Sequence, residues 1–275
     1  MSTRLEGYVD VPGGRLWAQW AGEGTAVVLV HAGIADARMW DPQWDPLAAR
    51  HRVMRYETRG FGRTETEDVR FSNRADLVAV LDAAGVDRAV VVGCSRAGSI
   101  VLDTALEYPD RVSAVVWVCG GLSGAGDEET DPEMLRLEEQ QEALAEAGDW
   151  AGVADIDVQI WVDGIGQPKG RVPAVAELVR TMTIETYAQE KVDGQPIVLD
   201  PPAAGRLAEL RVPVLAIVGL LDPPSTAANG SALEAGVADI RRIDLPDVAH
   251  LPNLEQPEWF TETLLRFLAE VDARA

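Results

Sequence analysis

Four apolar runs do most to limit how this 275-residue chain can fold: Ala26–Val30, Ala89–Val92, Val112–Val118 and Val212–Gly219. Runs this short suit strands buried on both faces. None nears the ~20 residues that span a bilayer. Helical patterns at 40–49, 72–84 and 96–108 lie between the first three, with a further strand at Arg52–Tyr56. Strand and helix in alternation imply βαβ units and a parallel sheet. Ahead of them, Gly7–Val11 and Arg15–Trp20 flank Pro12-Gly13-Gly14, a hairpin signal. After them come a helix at 225–235, a strand at Ile240–Leu245 and a closing amphipathic helix at 257–271. The expected fold class is α/β, a mostly parallel eight-stranded sheet flanked by helices.

The alternation breaks between 122 and 207, where no buried strand is legible. Asp131 caps a charged helix over 132–147, and helical patterns follow at 149–162 and 172–189. The segment enters after one core strand and leaves before the next. It reads as a helical cap of residues 122–207 inserted into a core of 1–121 and 208–275, with a lid over a site as its functional reading.

The net charge of −21 argues against nucleic acid and anionic membrane surfaces, which need basic patches. The first residues carry no apolar signal-peptide core, which points to the cytoplasm. Cys94 and Cys119 follow apolar runs and are expected as buried free thiols. Three widely spaced histidines give no metal-ligand spacing, so neither a metal nor another cofactor is expected. The number of copies is not fixed; a homodimer stays open.

Chemistry is expected at Gly93-Cys94-Ser95-Arg96-Ala97-Gly98, between a buried strand and a helix. A serine at the apex of such a tight turn stands above the sheet, before the unpaired N–H groups of a helix N-terminus. It needs a base, and the base needs an acid. His51 lies at the opposite end of the sheet and reads as a surface residue. His31 ends a strand beside the site and reads as a residue shaping its loop. His250 follows the last strand at the carboxyl edge, where ligands collect in open α/β sheets. Asp222, after the strand at 212–219, is the favoured acid, with Asp247 and Asp127 as rivals.

The order Ser95, Asp222, His250 resembles that of the α/β-hydrolase fold superfamily. The resemblance also rests on His31-Ala32-Gly33, Arg59-Gly60-Phe61-Gly62-Arg63-Thr64 and the stretch from Ala249 to Pro257. It implies a serine hydrolase of esterase or enol-lactonase type, acting on a small-molecule ester or lactone through an acyl-enzyme. It places the oxyanion hole at the N–H of Arg96 and that of Ile34 or Gly33. Three departures stand out: Ala97 and Ala32 where the family usually has glycine, and Glu57 and Thr64 where the turn after the fourth strand usually begins with Asp and ends in Ser. C–C bond hydrolysis, perhydrolase-like chemistry and a triad-retaining receptor with slow turnover stay open as alternatives. Substrate contacts are expected from Arg96, which could meet a carboxylate, from His31, and from the cap residues Trp161, Trp150 and Met182.

Overall fold

A computed structural model describes residues 5–126, 131–189, 192 and 194–274; the rival acid Asp127 lies outside them. The chain runs β1 (Leu5–Val11), β2 (Gly14–Ala21), β3 (Ala26–Val30), α1 (Asp41–Ala48), β4 (Arg52–Tyr56), then the two-residue strands β5 (Glu65–Thr66) and β6 (Arg70–Phe71). It continues through α2 (Asn73–Ala83), β7 (Ala89–Cys94), α3 (Arg96–Glu107) and β8 (Val112–Val118). Next come α4 (Pro132–Glu146), α5 (Trp150–Asp157), α6 (Pro173–Tyr187) and the short β9 (Gln195–Pro196). Last are β10 (Val214–Gly219), α7 (Pro224–Gly236), β11 (Ile240–Leu245), α8 (Pro252–Glu255) and α9 (Pro257–Asp272).

The main sheet has the order β1-β2-β4-β3-β7-β8-β10-β11, the eight strands expected, with β5 added at the side of β2. Among the described residues, the antiparallel pairings are all made by β2, with β1, β4 and β5. Gly13 makes the hairpin of β1 and β2 possible by taking a φ of +72°.

Burial on both faces explains why the central strands are apolar throughout. In β3, Val28 and Val30 enter the core beneath α2, α3 and α7, while Val27 and Leu29 enter the opposite core beneath α1 and α9. Each such side chain contributes ~1.5–3 kcal/mol by leaving water.

Three local readings need correction. β10 starts at Val214, because Pro213 has no N–H and offers its strand neighbour only a carbonyl, which accepts from the Val115 N–H at 2.9 Å. The helix read over 149–162 is α5 followed by a π-helical turn, Val158–Asp163. His51 is buried, since its backbone packs under Gly22, where a Cβ would stand 2.0 Å from the His51 carbonyl oxygen.

Candidate active site

β7 hands the chain to α3 through Ser95, whose φ of 59° and ψ of −127° lie outside the region that side chains favour. A non-glycine residue held so costs ~1–3 kcal/mol and persists only where its surroundings enforce it. Here the Ser95 N–H donates to the Val118 carbonyl at 3.0 Å, and the Ser95 carbonyl accepts from Gly98 at 2.8 Å and Gly121 at 2.9 Å. Close packing sets the flanking residues. A Cβ on Gly93 would stand 2.3 Å from the Ala97 oxygen, and one on Gly98 would stand 2.6 Å from Gly120 Cα and 2.7 Å from Trp117 Nε1. Ala97 has room: its methyl joins the core beneath α3.

At the same sheet edge, both oxygens of Asp222 face Nδ1 of His250, at 2.9 and 2.7 Å. The pair is nearly dry, with the side chains 4 % (His250) and 0 % (Asp222) exposed. A carboxylate on Nδ1 holds the proton there and leaves Nε2 as the basic nitrogen. Asp247 is exposed and contributes its carbonyl to Arg171 instead. The thiol of Cys94 donates to the His250 carbonyl at 3.6 Å, so the histidine loop lies against the residue preceding Ser95.

That loop is held by groups that sequence reasoning did not single out. Glu255 accepts from the N–H groups of Ala249 at 3.0 Å and Leu251 at 3.4 Å, one on each side of His250. Arg171 pairs with Glu255 and donates to the carbonyls of Val162 at 2.6 Å and Asp163 at 2.9 Å. Burial pushes the Glu255 carboxyl up, and Arg171 opposes the rise. The signal for Glu255 was its place in Asn253-Leu254-Glu255-Gln256-Pro257, one turn beyond the histidine. Trp161, in the π-helical turn, accepts the His250 N–H on its carbonyl at 3.2 Å and lays its ring 4.5 Å from the imidazole.

Both cysteines are buried free thiols. Cys119 Sγ comes within 4.8 Å of ligand-type atoms of Asp222 and His250. Burial pushes its thiol well above the ordinary range, it accepts from the Gly219 N–H, and both Asp222 oxygens are already on the imidazole. A protonated thiol is a poor metal ligand, so the cluster reads as packing behind the His–Asp pair.

The strand-three corner faces the elbow. Among the described residues, no acceptor is found for the N–H groups of Gly33, Ile34 or Arg96, the three expected at an oxyanion hole. His31 beneath them has no exposed surface. Its Nε2 accepts from the Thr58 N–H at 3.0 Å, so Nδ1 carries the proton and donates to the Ala32 carbonyl at 2.8 Å. Burial, reinforced by the nearby Arg96 cation, lowers its pKa to about 4. His31 is therefore a neutral brace for the loop and is not open to a substrate.

Two further expectations are corrected. Trp150 stacks on Tyr187 at 5.7 Å, joining α5 to α6, and Met182 is fully buried between α6 and the core. Neither is among the residues lining the two spaces described next. Trp161 is: with Ser99, Leu122, Met134, Glu138 and Asn229 it bounds a space of about 820 Å³. A second space of about 390 Å³ lies towards Gly33, Phe61, Arg96 and Tyr187.

Comparison with known proteins agrees with this architecture. A protein of Azorhizobium caulinodans provisionally named carbamate hydrolase RutD is 29 % identical over 94 % of this chain and 96 % of its own length. The 3-oxoadipate enol-lactonase 1 of Acinetobacter baylyi is 24 % identical over 90 % of this chain and 89 % of its own. Among solved structures, Est816, described as an N-acyl homoserine lactone degrading enzyme, superposes with a TM-score of 0.75 at 26 % identity, covering 95 % of this chain and all of its own. The model of the alpha/beta hydrolase family matches residues 27–263, from the first buried parallel strand into the closing helix. A match of that extent makes the chain a member of the alpha/beta hydrolase family, and its relatives mark it as a hydrolase of ester-like bonds.

Proposed function

We propose that the chain is a serine hydrolase that cleaves a carboxylic ester or lactone of a small molecule. The observation that carries this reading is the dry Asp222–His250 pair beside the strained turn at Ser95. A serine hydroxyl becomes a nucleophile near neutral pH when a base oriented in this way comes within its reach.

Ser95 Oγ attacks the carbonyl carbon while His250 Nε2 takes its proton, and Asp222 stabilises the imidazolium that forms. The developing oxyanion accepts from the N–H of Arg96 and from that of Ile34, or else Gly33; one such donor is typically worth ~10²–10³ in rate. His250 returns the proton to the leaving alcohol, which in a lactone stays attached to the acyl group. Water then attacks the acyl-enzyme, again losing its proton to Nε2, and Ser95 is regenerated. Every step is proton and acyl transfer among groups of this chain, substrate and water. The segment between β8 and β10 acts as a cap, with Trp161 as the wall of the larger space and of the imidazole at once. The relatives named for lactone cleavage support lactones and esters alike as the substrate class.

The test is a panel of esters, lactones and vinylogous diketones with wild type and Ser95→Ala, alongside labelling by a serine-directed organophosphate. Hydrolysis of esters or lactones that Ser95→Ala abolishes, with the label on Ser95, is expected. Full activity in Ser95→Ala, or a label elsewhere, refutes the reading. Diketone cleavage without ester cleavage would assign C–C chemistry instead.

A further inference from the structure

We infer that Arg96 is a carboxylate-recognition residue, so that the ester or lactone carries a free carboxylate on the limb entering the 390 Å³ space. This rests on the reading of Ser95 as nucleophile and adds the chemical class of its substrate.

Among the described residues, the three buried arginines each hold a carboxylate: Arg55 with Asp41, Arg59 with Asp76, Arg74 with Glu107. Arg59 lines the same space as Arg96 and is met by both Asp76 oxygens, at 2.7 and 3.0 Å. Arg96 is different. Its guanidinium donates from Nη2 to the Thr58 hydroxyl at 2.5 Å and lies 4.8 Å over the Phe61 ring. Its Nε is fully buried with no partner, and among the described residues no carboxylate reaches the group. Burial lowers its pKa, the mark of a cation drawn out of water without an anion in exchange. An arginine stays charged in any such setting, and a desolvated charge gains strongly from an opposite charge brought to it.

Position decides which anion this is. Arg96 immediately follows Ser95, and its Nε lies 3.9 Å from where a Cβ would stand on Gly33, one of the oxyanion candidates. A group bound there is joined to the reacting carbonyl through a short limb. The space between Phe61 and Tyr187 has aromatic walls for the methylenes of such a limb, and Arg96 is part of its lining. The larger space, beyond Trp161, has no arginine in its lining and takes the uncharged limb. The net charge of −21 repels anions at long range, so discrimination comes from this short-range contact.

Two matched substrate pairs test it, placing the charge on either side of the scissile bond. Mono-4-nitrophenyl adipate is compared with 4-nitrophenyl hexanoate, and 4-acetoxybenzoate with 4-methylphenyl acetate. In wild type, the anionic member of at least one pair is preferred in kcat/KM. In Arg96→Met that preference falls about 10- to 100-fold, mainly through KM, and Arg96→Lys restores part of it. Should Arg96→Met fold poorly, wild-type inhibition decides: adipate must compete at concentrations where hexanamide does not. A wild-type preference for both neutral members, or an anionic-to-neutral ratio unchanged in Arg96→Met while both rates fall together, overturns the inference and makes the arginine a support for the loop. Ester hydrolysis that survives Ser95→Ala would instead overturn the parent reading, so the two failures are distinct.

Discussion

Asp157, the last residue of α5, is buried, and only one of its oxygens is satisfied: Oδ1 accepts from Gln141 Nε2 at 2.7 Å, while Oδ2 has no hydrogen-bond partner. Burial pushes its carboxyl up to about 6, with Gln141 and the neighbouring Trp161 holding it back from going further. The unfolded chain loses this proton near pH 3.8, the folded chain near pH 6. Between those values the folded state binds more protons, so the group's contribution to stability is full below about pH 4 and falls as pH rises, reaching its minimum above about pH 6. At ~1.4 kcal/mol per pH unit, ionised Asp157 costs about 3 kcal/mol at neutral pH relative to the protonated acid. Asp157→Asn makes the neutral form permanent but puts a donor where Oδ2 has no partner, which costs about 1 kcal/mol. The variant should therefore be about 2 kcal/mol more stable than wild type at pH 7.5 and about equal to it at pH 4.5. Urea denaturation followed by tryptophan fluorescence at the two pH values measures the difference. A variant no more stable at pH 7.5, or a gap that does not change with pH, would show that Asp157 is not held protonated by its surroundings.

Further outcomes concern the site itself. Asp222→Asn keeps the shape but offers Nδ1 an amide, favouring the wrong tautomer; kcat should drop by about 10⁴ with the fold intact by circular dichroism. Gly93→Ala drives a methyl into the Ala97 backbone at 2.3 Å, and should lower stability by ~1–3 kcal/mol in denaturant titration and remove activity along with the turn. Glu255→Gln leaves an amide oxygen for the Ala249 and Leu251 N–H groups but no charge for Arg171. It should lose ~1–2 kcal/mol of stability and lower kcat more than it raises KM, because the histidine loop and not the substrate space is loosened. Rates normalised to active sites titrated with the organophosphate separate that from a general packing defect, which would lower the number of active sites and leave kcat per site unchanged.

The fold was legible because its central strands are buried on both faces. Val27 to Val30, Val90 to Val92 and Val115 to Val118 have no polar side to present, and an unbroken apolar run leaves few alternatives to a parallel strand. Ser95 and Asp222 stand just past such strands, and His250 follows the half-buried edge strand β11, so the sheet brings the three to one edge. What was lost is what depends on packing between distant segments. Trp150 and Met182 carry the same apolar signal whether they face a cavity or a neighbouring helix. His51 gave no sign that Gly22 would pack onto its backbone. Glu255 and Arg171 work through backbone groups, which leave no residue pattern to read. The departures at Glu57 and Thr64 also become intelligible only in space: Glu57 accepts the Arg63 N–H at 2.5 Å, and the Thr64 hydroxyl donates to the Glu57 carbonyl at 2.5 Å, closing the turn that presents Phe61.

The π-helical turn at Val158–Asp163 has a consequence for engineering. Its carbonyls receive the His250 N–H directly and the Arg171 guanidinium alongside Glu255, so the register of the turn and the position of the imidazole are mechanically joined. Straightening it to regular α-helix by deleting one residue would rotate Trp161 by about 100° and carry the supporting carbonyl with it. A chimera that imports the helices of a relative would thus have to import the span 158–171 and residue 255 as one piece; helices exchanged without that piece would arrive as a roof detached from its hinge pin.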